Sequence, residues 1–553
     1  MALRGKGPKV EDNTEVGDVL WLQSAQRPSA VLLRIGGVFG LAFAAVVAVL
    51  VTALYEPVRM PLPPVPGRDA DLDGSLFLAI VIGVWLVCQV LGVAVLALGV
   101  RTGERVRVLV AIAWLAWSSA VGVMELGWVL REGFRRGTAI SEAPEIPVLN
   151  GLLLLAAGLS LVLLLGFSLC LLLCRNPARR SNLRRYRRAM VAVALLSPFT
   201  ILAGGILLPN LGVFVWCLPT TLFGLGVVYF LQRHRRMPFR VLLVAAGLGG
   251  LIAPGFAVVV NFHVATHAQV FLPTSGHFIA LLSVVSSVGE EGVKAVVVAL
   301  VYVFSRRWFD GVVPGLVVGA ATGLGFNLVE SVQYMAAGGG DTAMFHHWLR
   351  QGVGLMGGHL AFTALTGAGI GVASQLSGAS RKTVAVVSGL LPAICAHFAS
   401  NYVLITGVHN QLLPDASPAL QTMVVLPTLM ILLQGPFALL CVLVLRRGLR
   451  EQAEMVAAGL RAETAKESGA VTSLEVAILS SPPHRFRMNI DALRGGGVAA
   501  YRMLRRLQRT QLELAMAHVE QSANEVETLR RRVLEMKETM LHTFATETEG
   551  AIA

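Results

Sequence analysis

Charged residues are scarce in this chain: they make up 14% of its 553 residues, whereas 55% of the residues are hydrophobic. The mean hydropathy is +0.68. A soluble globular domain typically has about 25% charged residues. The composition therefore excludes an ordinary soluble enzyme and indicates a protein with several membrane spans.

Several signatures of known chemistry are also absent. The sequence has no HExxH or GxSxG motif, no pair of intramembrane aspartates and no glycine-rich phosphate loop opening a helix. These absences argue against the corresponding hydrolases and nucleotide-binding proteins. The six cysteines lie inside apolar segments without the paired spacing of zinc sites, so we interpret them as small hydrophobic side chains.

The apolar segments predict an all-α, polytopic membrane helix bundle of about twelve transmembrane helices. Every second connecting loop is basic, and the positive-inside rule then predicts a multi-pass protein of the cell membrane with both termini in the cytoplasm. We divide the chain into an N-terminal segment (1–30), accessory transmembrane helices (31–235), a catalytic bundle (236–445) and a cytoplasmic helical tail (446–553). The predicted spans lie near 31–55, 75–100, 107–129, 147–174, 188–208, 211–231, 240–261, 278–304, 312–336, 351–376, 383–406 and 420–445.

The net charge of +13 could suggest a nucleic-acid-binding protein. However, the cations cluster in short loops between apolar spans, where they determine membrane topology. We therefore expect the lipid bilayer as a partner and no nucleic acid.

The tail has a heptad pattern, with apolar residues every seven positions from Leu512 to Met540. This pattern predicts a short coiled coil over 505–544, through which the protein could self-associate, or an amphipathic surface helix. A solvated helical tail without a defined partner is the alternative.

The ionisable residues inside the spans concentrate in spans eight to eleven. Each charge at the centre of a membrane helix costs about 2.5–3.5 kcal/mol on insertion scales, so chance is a poor explanation for their placement at similar depth on four consecutive spans. Lys294 follows Glu290 by four residues and Glu291 by three, so it can pair with one carboxylate without satisfying both. The polar residues of these spans are Glu290, Glu291, Lys294, Asn327, Glu330, His359, His397 and Asn401.

These residue types support two kinds of hydrolytic site. Glu330, His359 and His397 would form a zinc-type ligand set with a position for water, and Glu290 or Glu291 would take the proton from that water. In a metal-free version, a glutamate alone activates water, and His397 with Asn401 stabilises the oxyanion. The sequence leaves both versions open.

Four ordered motifs resemble those of the PrsW-type intramembrane proteases, which are distant relatives of the CAAX prenyl-protein proteases. They are EEGVK (Glu290 to Lys294), GFNLVES (Gly325 to Ser331), a histidine in a glycine-rich helix (His359), and His397 with Asn401. The resemblance covers about residues 240–445. It implies a hydrolase that cleaves membrane-embedded or membrane-proximal proteins, typically an anti-sigma factor. Where the family usually has asparagine after the second-motif glutamate, this chain has Ser331, which weakens the case for a hydrogen-bonding amide there.

Three other interpretations compete with a protease. The polar residues could form a structural network that locks helices together, or a proton relay in a proton-coupled transporter or channel. A transporter is expected to have internal halves with matching polar helices, and spans one to seven show no counterpart. An inactive membrane scaffold acting through its tail is the third interpretation.

Gly315, Gly319 and Gly323 are interpreted as close helix-packing positions.

Overall fold

The structure is a computed structural model, and it falls into two compact units. One unit comprises Met1–Leu50, Asn210–Gly250 and Glu290–Ala553, and the other comprises Val51–Pro209 and Leu251–Gly289. Every predicted site residue lies in the first unit. The structure describes residues 28–54, 166, 169–170, 196–197, 199–261, 276–309, 311–338, 340–406, 408, 415–520 and 522–552.

The regular elements of this described part of the chain are helices, and no strand occurs among them, which confirms the all-α prediction. We number the helices in chain order. They are α1 (Pro28–Leu54), α2 (Leu211–Phe230), α3 (Phe239–Leu251), α4 (Gly276–Phe304), α5 (Val312–Gly338), α6 (Gly340–His347), α7 (His359–Gln375), α8 (Ala379–Thr406), α9 (Leu426–Thr464), α10 (Ser473–Ser480), α11 (Pro482–Val519) and α12 (Ala523–Ile552).

Six helices of the described residues are long and apolar enough to cross a membrane. They correspond to predicted spans one, six, seven, nine, eleven and twelve. Helix α4 has 29 residues and matches span eight, but it carries three charged side chains in its middle. Predicted spans two, three and four fall almost entirely outside the described residues, so the total of about twelve stays a prediction. The six spans are Pro28–Leu54, Leu211–Phe230, Phe239–Asn261, Val312–Gly338, Ala379–Thr406 and Gln421–Thr464.

Helix α5 forms the centre of the first unit. Its apolar span is buried throughout, as expected of a helix that is apolar on all sides and enclosed by other helices. It packs mainly against α7 and α2, and α7 packs in turn against α8. The glycines predicted as packing positions bring α5 and α7 into backbone contact. A methyl group on Gly323 would lie 2.7 Å from the carbonyl carbon of His359, and one on Gly315 would lie 2.9 Å from Gly371.

Helix α7 begins later than predicted span ten. Residues Trp348–Val353 form a π-helix, and a turn follows before α7 starts at His359. His359 is therefore the first residue of a helix rather than a residue several turns inside one. Short π-helical segments are frequent at functional sites because they change the direction of the side chains around them.

The tail is a small helical bundle with its own core. Helix α9 extends from the apolar span into the tail, and α10, α11 and α12 pack with its C-terminal part. Leu512, Val519, Val526 and Val533, at the heptad positions, share this core with Leu460. In the single chain these positions therefore face helices of the same tail, and self-association through a coiled coil stays a prediction.

Candidate active site

The structure brings the predicted residues of four helices to one buried cluster. Glu290, Glu291, Lys294, His359 and His397 are all buried. Asn401 lies one turn after His397 on α8 and is half-buried. In order, the residues are contributed by α4 (Glu290, Glu291, Lys294), α5 (Glu330), the start of α7 (His359) and α8 (His397, Asn401).

Lys294 occupies the middle of the cluster and has no solvent exposure. Its Nζ lies 2.8 Å from Oε1 of Glu291, 3.6 Å from Oε2 of Glu290 and 3.0 Å from Nδ1 of His359. The ammonium also lies 3.6 Å from the ring centroid of Phe326, which is within cation–π distance. One lysine thus makes a close ion pair with Glu291 and a longer one with Glu290.

Glu291 is the most extensively bonded carboxylate of the cluster. In addition to Lys294, its Oε1 lies 3.1 Å from Nδ1 of His397, and its Oε2 accepts a hydrogen bond of 3.4 Å from the hydroxyl of Thr363. A buried carboxylate that is bonded to three side chains also holds those side chains in position. Glu291 therefore connects α4, α7 and α8 at the level of the site.

Glu290, His359 and His397 form a group that could hold a metal ion. One donor atom of each lies within 4.8 Å of the others, and all three side chains are buried. A carboxylate with two imidazoles is a ligand set that zinc accepts, with a further position for water. The local charges also fit a cation, because three carboxylates (Glu290, Glu291, Glu330) face two permanent cations, Lys294 and Arg350.

Glu330 has a different position from the one its predicted ligand role suggests. Its Oε2 lies 2.6 Å from Nε2 of His359 and 2.8 Å from Nη1 of Arg350. The group of donors that could share one ion contains Glu290 where the sequence suggested Glu330. A carboxylate bonded to the second nitrogen of a metal-binding histidine orients the ring and fixes its tautomer. This geometry favours an orienting role for Glu330, and its role as a metal ligand stays a prediction.

Sequence reasoning did not identify Arg350 as part of the site. The residue lies in the π-helix, with its guanidinium 4.1 Å from the ring centroid of Tyr334 and paired with Glu330. In the sequence it is a single cation at the end of a predicted outer loop, where an arginine at headgroup level is expected. The irregular backbone that turns it inward has no evident sequence signal.

Ser331 takes part in a second polar chain beside the cluster. Its hydroxyl donates to the carbonyl of Asn327 and accepts from Nε2 of Gln351, whose Oε1 accepts from the hydroxyl of Thr220 on α2. The serine that departs from the family pattern therefore still makes hydrogen bonds at this place. This series of hydrogen bonds links α2, α5 and the π-helix.

Residues 237–433 match the family model described as PrsW family intramembrane metalloprotease. No curated protein and no solved structure matches the chain. The matched segment contains α4 to α8 and hence every residue of the cluster. The resemblance predicted from the four motifs is confirmed over this segment, and the match supports a membrane-embedded, multi-pass protein with protease activity.

Proposed function

We propose that the protein is an intramembrane metalloprotease that hydrolyses peptide bonds of membrane-embedded or membrane-proximal proteins. The observation that carries the proposal is the convergence of Glu290, His359 and His397, from three helices, on one buried point. Three costly polar residues need a compensating role inside an apolar bundle. The family match over the same helices favours hydrolysis over proton transport as that role.

The metal in this proposal is held by Glu290, His359 and His397, with zinc the ion that this donor set suits best. When bound, such an ion polarises the scissile carbonyl and makes water more acidic. The two ring nitrogens of His359 have different partners: Nε2 faces Glu330 and Nδ1 faces Lys294. A proton on Nε2, donated to Glu330, leaves the electron pair on Nδ1, where it accepts from the ammonium of Lys294; ligation through Nδ1 would require Lys294 to release it.

The two adjacent glutamates have different roles in this proposal. Glu291 is a positioning residue, because it is already bonded to Lys294, Thr363 and His397. Glu290 would be a metal ligand in the metal-bound version, and it is the base that takes the proton from water in the metal-free version. Lys294 offsets one of the two negative charges and so lowers the cost of two neighbouring carboxylates in a dry bundle.

In a metal-free version the same residues have different roles. Glu290 takes the proton from water, and His397 with Asn401 stabilises the oxyanion through hydrogen bonds. In this version Lys294 supplies the positive charge at the centre of the site. The metal content of the purified protein, measured after chelation and again after re-addition of zinc, distinguishes the two versions.

The proposed substrate is a membrane protein, and the family resemblance suggests one of the anti-sigma-factor type. We infer from the distribution of loop charge that both termini and the tail lie in the cytoplasm. Four of the described spans, Phe239–Asn261, Val312–Gly338, Ala379–Thr406 and Gln421–Thr464, belong to the predicted catalytic bundle, and we infer that substrates reach it from within the bilayer.

The test compares membrane proteins in cells that express the wild-type protein, Glu290→Gln or His359→Ala at equal levels. The expected result is a membrane-protein fragment that is present with the wild type and absent with both variants. A control variant, Gly247→Ala on α3, adds a methyl group that contacts none of the described residues within 4 Å and should preserve the fragment. Identical fragment patterns in all four strains would refute the proposal.

A further inference from the structure

A cavity lies away from the acid–histidine cluster and shares no residue with it. It has a volume of about 720 Å³ and lies between the segment that follows α2 and the tail helix α11. Its aromatic and apolar lining includes Tyr229, Phe230 and Phe486. A cavity of this size is large enough to enclose a small molecule or a lipid headgroup.

The lining is strongly basic. Glu513 is the single acidic side chain among the described residues of the lining, and it is already bonded to Arg509 at 3.0 Å. Membrane topology does not explain all of this positive charge, because three of the arginines come from the tail and not from a loop between spans. The arginines are Arg233, Arg235, Arg236, Arg485, Arg505 and Arg509.

Arg485 is the most unusual of these cations because it is buried, with 7% of its surface exposed. Its guanidinium donates to the carbonyl oxygens of Leu479 and Arg233 and has no carboxylate partner among the described residues. Burial, with the neighbouring charge of Arg236, lowers the pKa of Arg485 to about 10, so it remains charged at neutral pH. Buried charges usually have a counter-charge, and this one lacks it within the described chain.

His234 supplies an independent indication of a ligand. The side chain is 7% exposed and lines the cavity, and its Nδ1 makes no hydrogen bond within the described structure. Burial and the charges of Arg485 and Arg233 lower the pKa of His234 to about 4, so the ring is neutral at neutral pH. A buried ring nitrogen without a partner is costly unless a bound group satisfies it.

We propose that this basic cavity binds a phosphate-bearing anion, with the arginines on the phosphate and the aromatic side chains against the rest of the ligand. Guanidinium groups suit phosphate because they donate paired, parallel hydrogen bonds. The anion bridges the segment after α2 and the helix α11, and so joins the membrane part of the unit to its tail.

The same phosphate chemistry can come from an anionic phospholipid or from a soluble compound. Phe230 is the last residue of the apolar helix α2, and the basic segment follows it directly. Cations that follow a membrane helix at once lie at headgroup depth. This position favours the lipid source, and the experiment separates the two.

The experiment uses the full-length protein purified in detergent. Retention of dioleoyl phosphatidic acid, compared with dioleoyl phosphatidylcholine, is measured by native mass spectrometry over a range of lipid concentrations. In the second arm, ATP and inorganic phosphate are titrated while thermal unfolding is followed. The pocket variant is Arg233→Gln with Arg505→Gln, and the charge-matched control is Arg487→Gln with Arg506→Gln, two exposed arginines outside the cavity.

We expect the wild-type protein to bind one phosphate-bearing probe saturably, with at least about tenfold weaker binding in the pocket variant. The control variant should bind within about twofold of the wild type, and both variants should unfold near the wild-type temperature without ligand. Preference for phosphatidic acid assigns the lipid source, and preference for ATP or phosphate assigns a soluble one. The proposal is overturned if no probe binds, or if the control variant weakens binding as much as the pocket variant.

Discussion

The substitution Gly323→Ala tests whether the contact between α5 and α7 positions His359. The added methyl group would lie 2.7 Å from the carbonyl carbon of His359, whereas ordinary contact begins at 3.4 Å. The two helices must therefore part by at least about 0.7 Å at the first residue of α7. Because both sides of this contact are backbone, no side chain can move aside to absorb the methyl group.

The expected effect on catalysis is large relative to the displacement. A misplacement of about 1 Å at a catalytic group can reduce the rate about 100-fold, so a shift of this size in His359 should reduce cleavage by about 10- to 100-fold. Overpacking of a buried contact also costs about 1–3 kcal/mol of stability. The variant should therefore fold, unfold at a somewhat lower temperature, and cleave slowly.

Gly315→Ala separates positioning from general destabilisation. Its methyl group would lie 2.9 Å from Gly371, further along the same two helices and away from His359. Both variants should lose similar stability, but Gly323→Ala should lose more cleavage activity per expressed protein. The assay measures the rate of fragment formation and the thermal unfolding temperature for both variants and for Gly247→Ala. Wild-type activity and stability in Gly323→Ala would refute the reasoning.

Other substitutions test the roles assigned within the cluster. Glu290→Gln should abolish cleavage with a nearly unchanged unfolding temperature, whereas Glu291→Gln should also destabilise the fold by about 3–5 kcal/mol because it removes the close partner of buried Lys294. Arg350→Gln should reduce cleavage about tenfold, with partial recovery in Arg350→Lys, because a lysine can still pair with the carboxylate beneath it; equal rates in all three proteins would contradict this. Chelation should remove bound metal and activity together, re-added zinc should restore both, and His397→Ala should lower the metal content measured by mass spectrometry; full activity in the metal-depleted protein would instead support the metal-free version.

The sequence predicted the all-α class, the position of the described spans and the residues that meet in the cluster. Spans of apolar residues and the insertion cost of charge are local properties that a sequence shows directly. The spacing of Glu290, Glu291 and Lys294 on one helix also predicted that the lysine would pair closely with one carboxylate only. The distances of 2.8 and 3.6 Å agree with that expectation.

The sequence could not show which acid joins the two histidines. That choice depends on the rotation of α4 and α5 about their axes and on the late start of α7, which the π-helix before it determines. The contribution of Arg350 depends on the same irregular segment. The heptad pattern of the tail is compatible with helix packing between two chains and with helix packing within one chain. The pattern alone does not identify the helix against which its apolar residues pack.

The most direct test of a hydrolytic site built around the paired glutamates uses purified protein in liposomes with the membrane protein whose fragment the cellular comparison identifies. The initial rate of cleavage is measured for the wild type, Glu290→Gln and Glu291→Gln at equal amounts of folded protein. The account predicts no detectable cleavage by Glu290→Gln and strongly reduced cleavage by Glu291→Gln. Wild-type rates in both variants would contradict it.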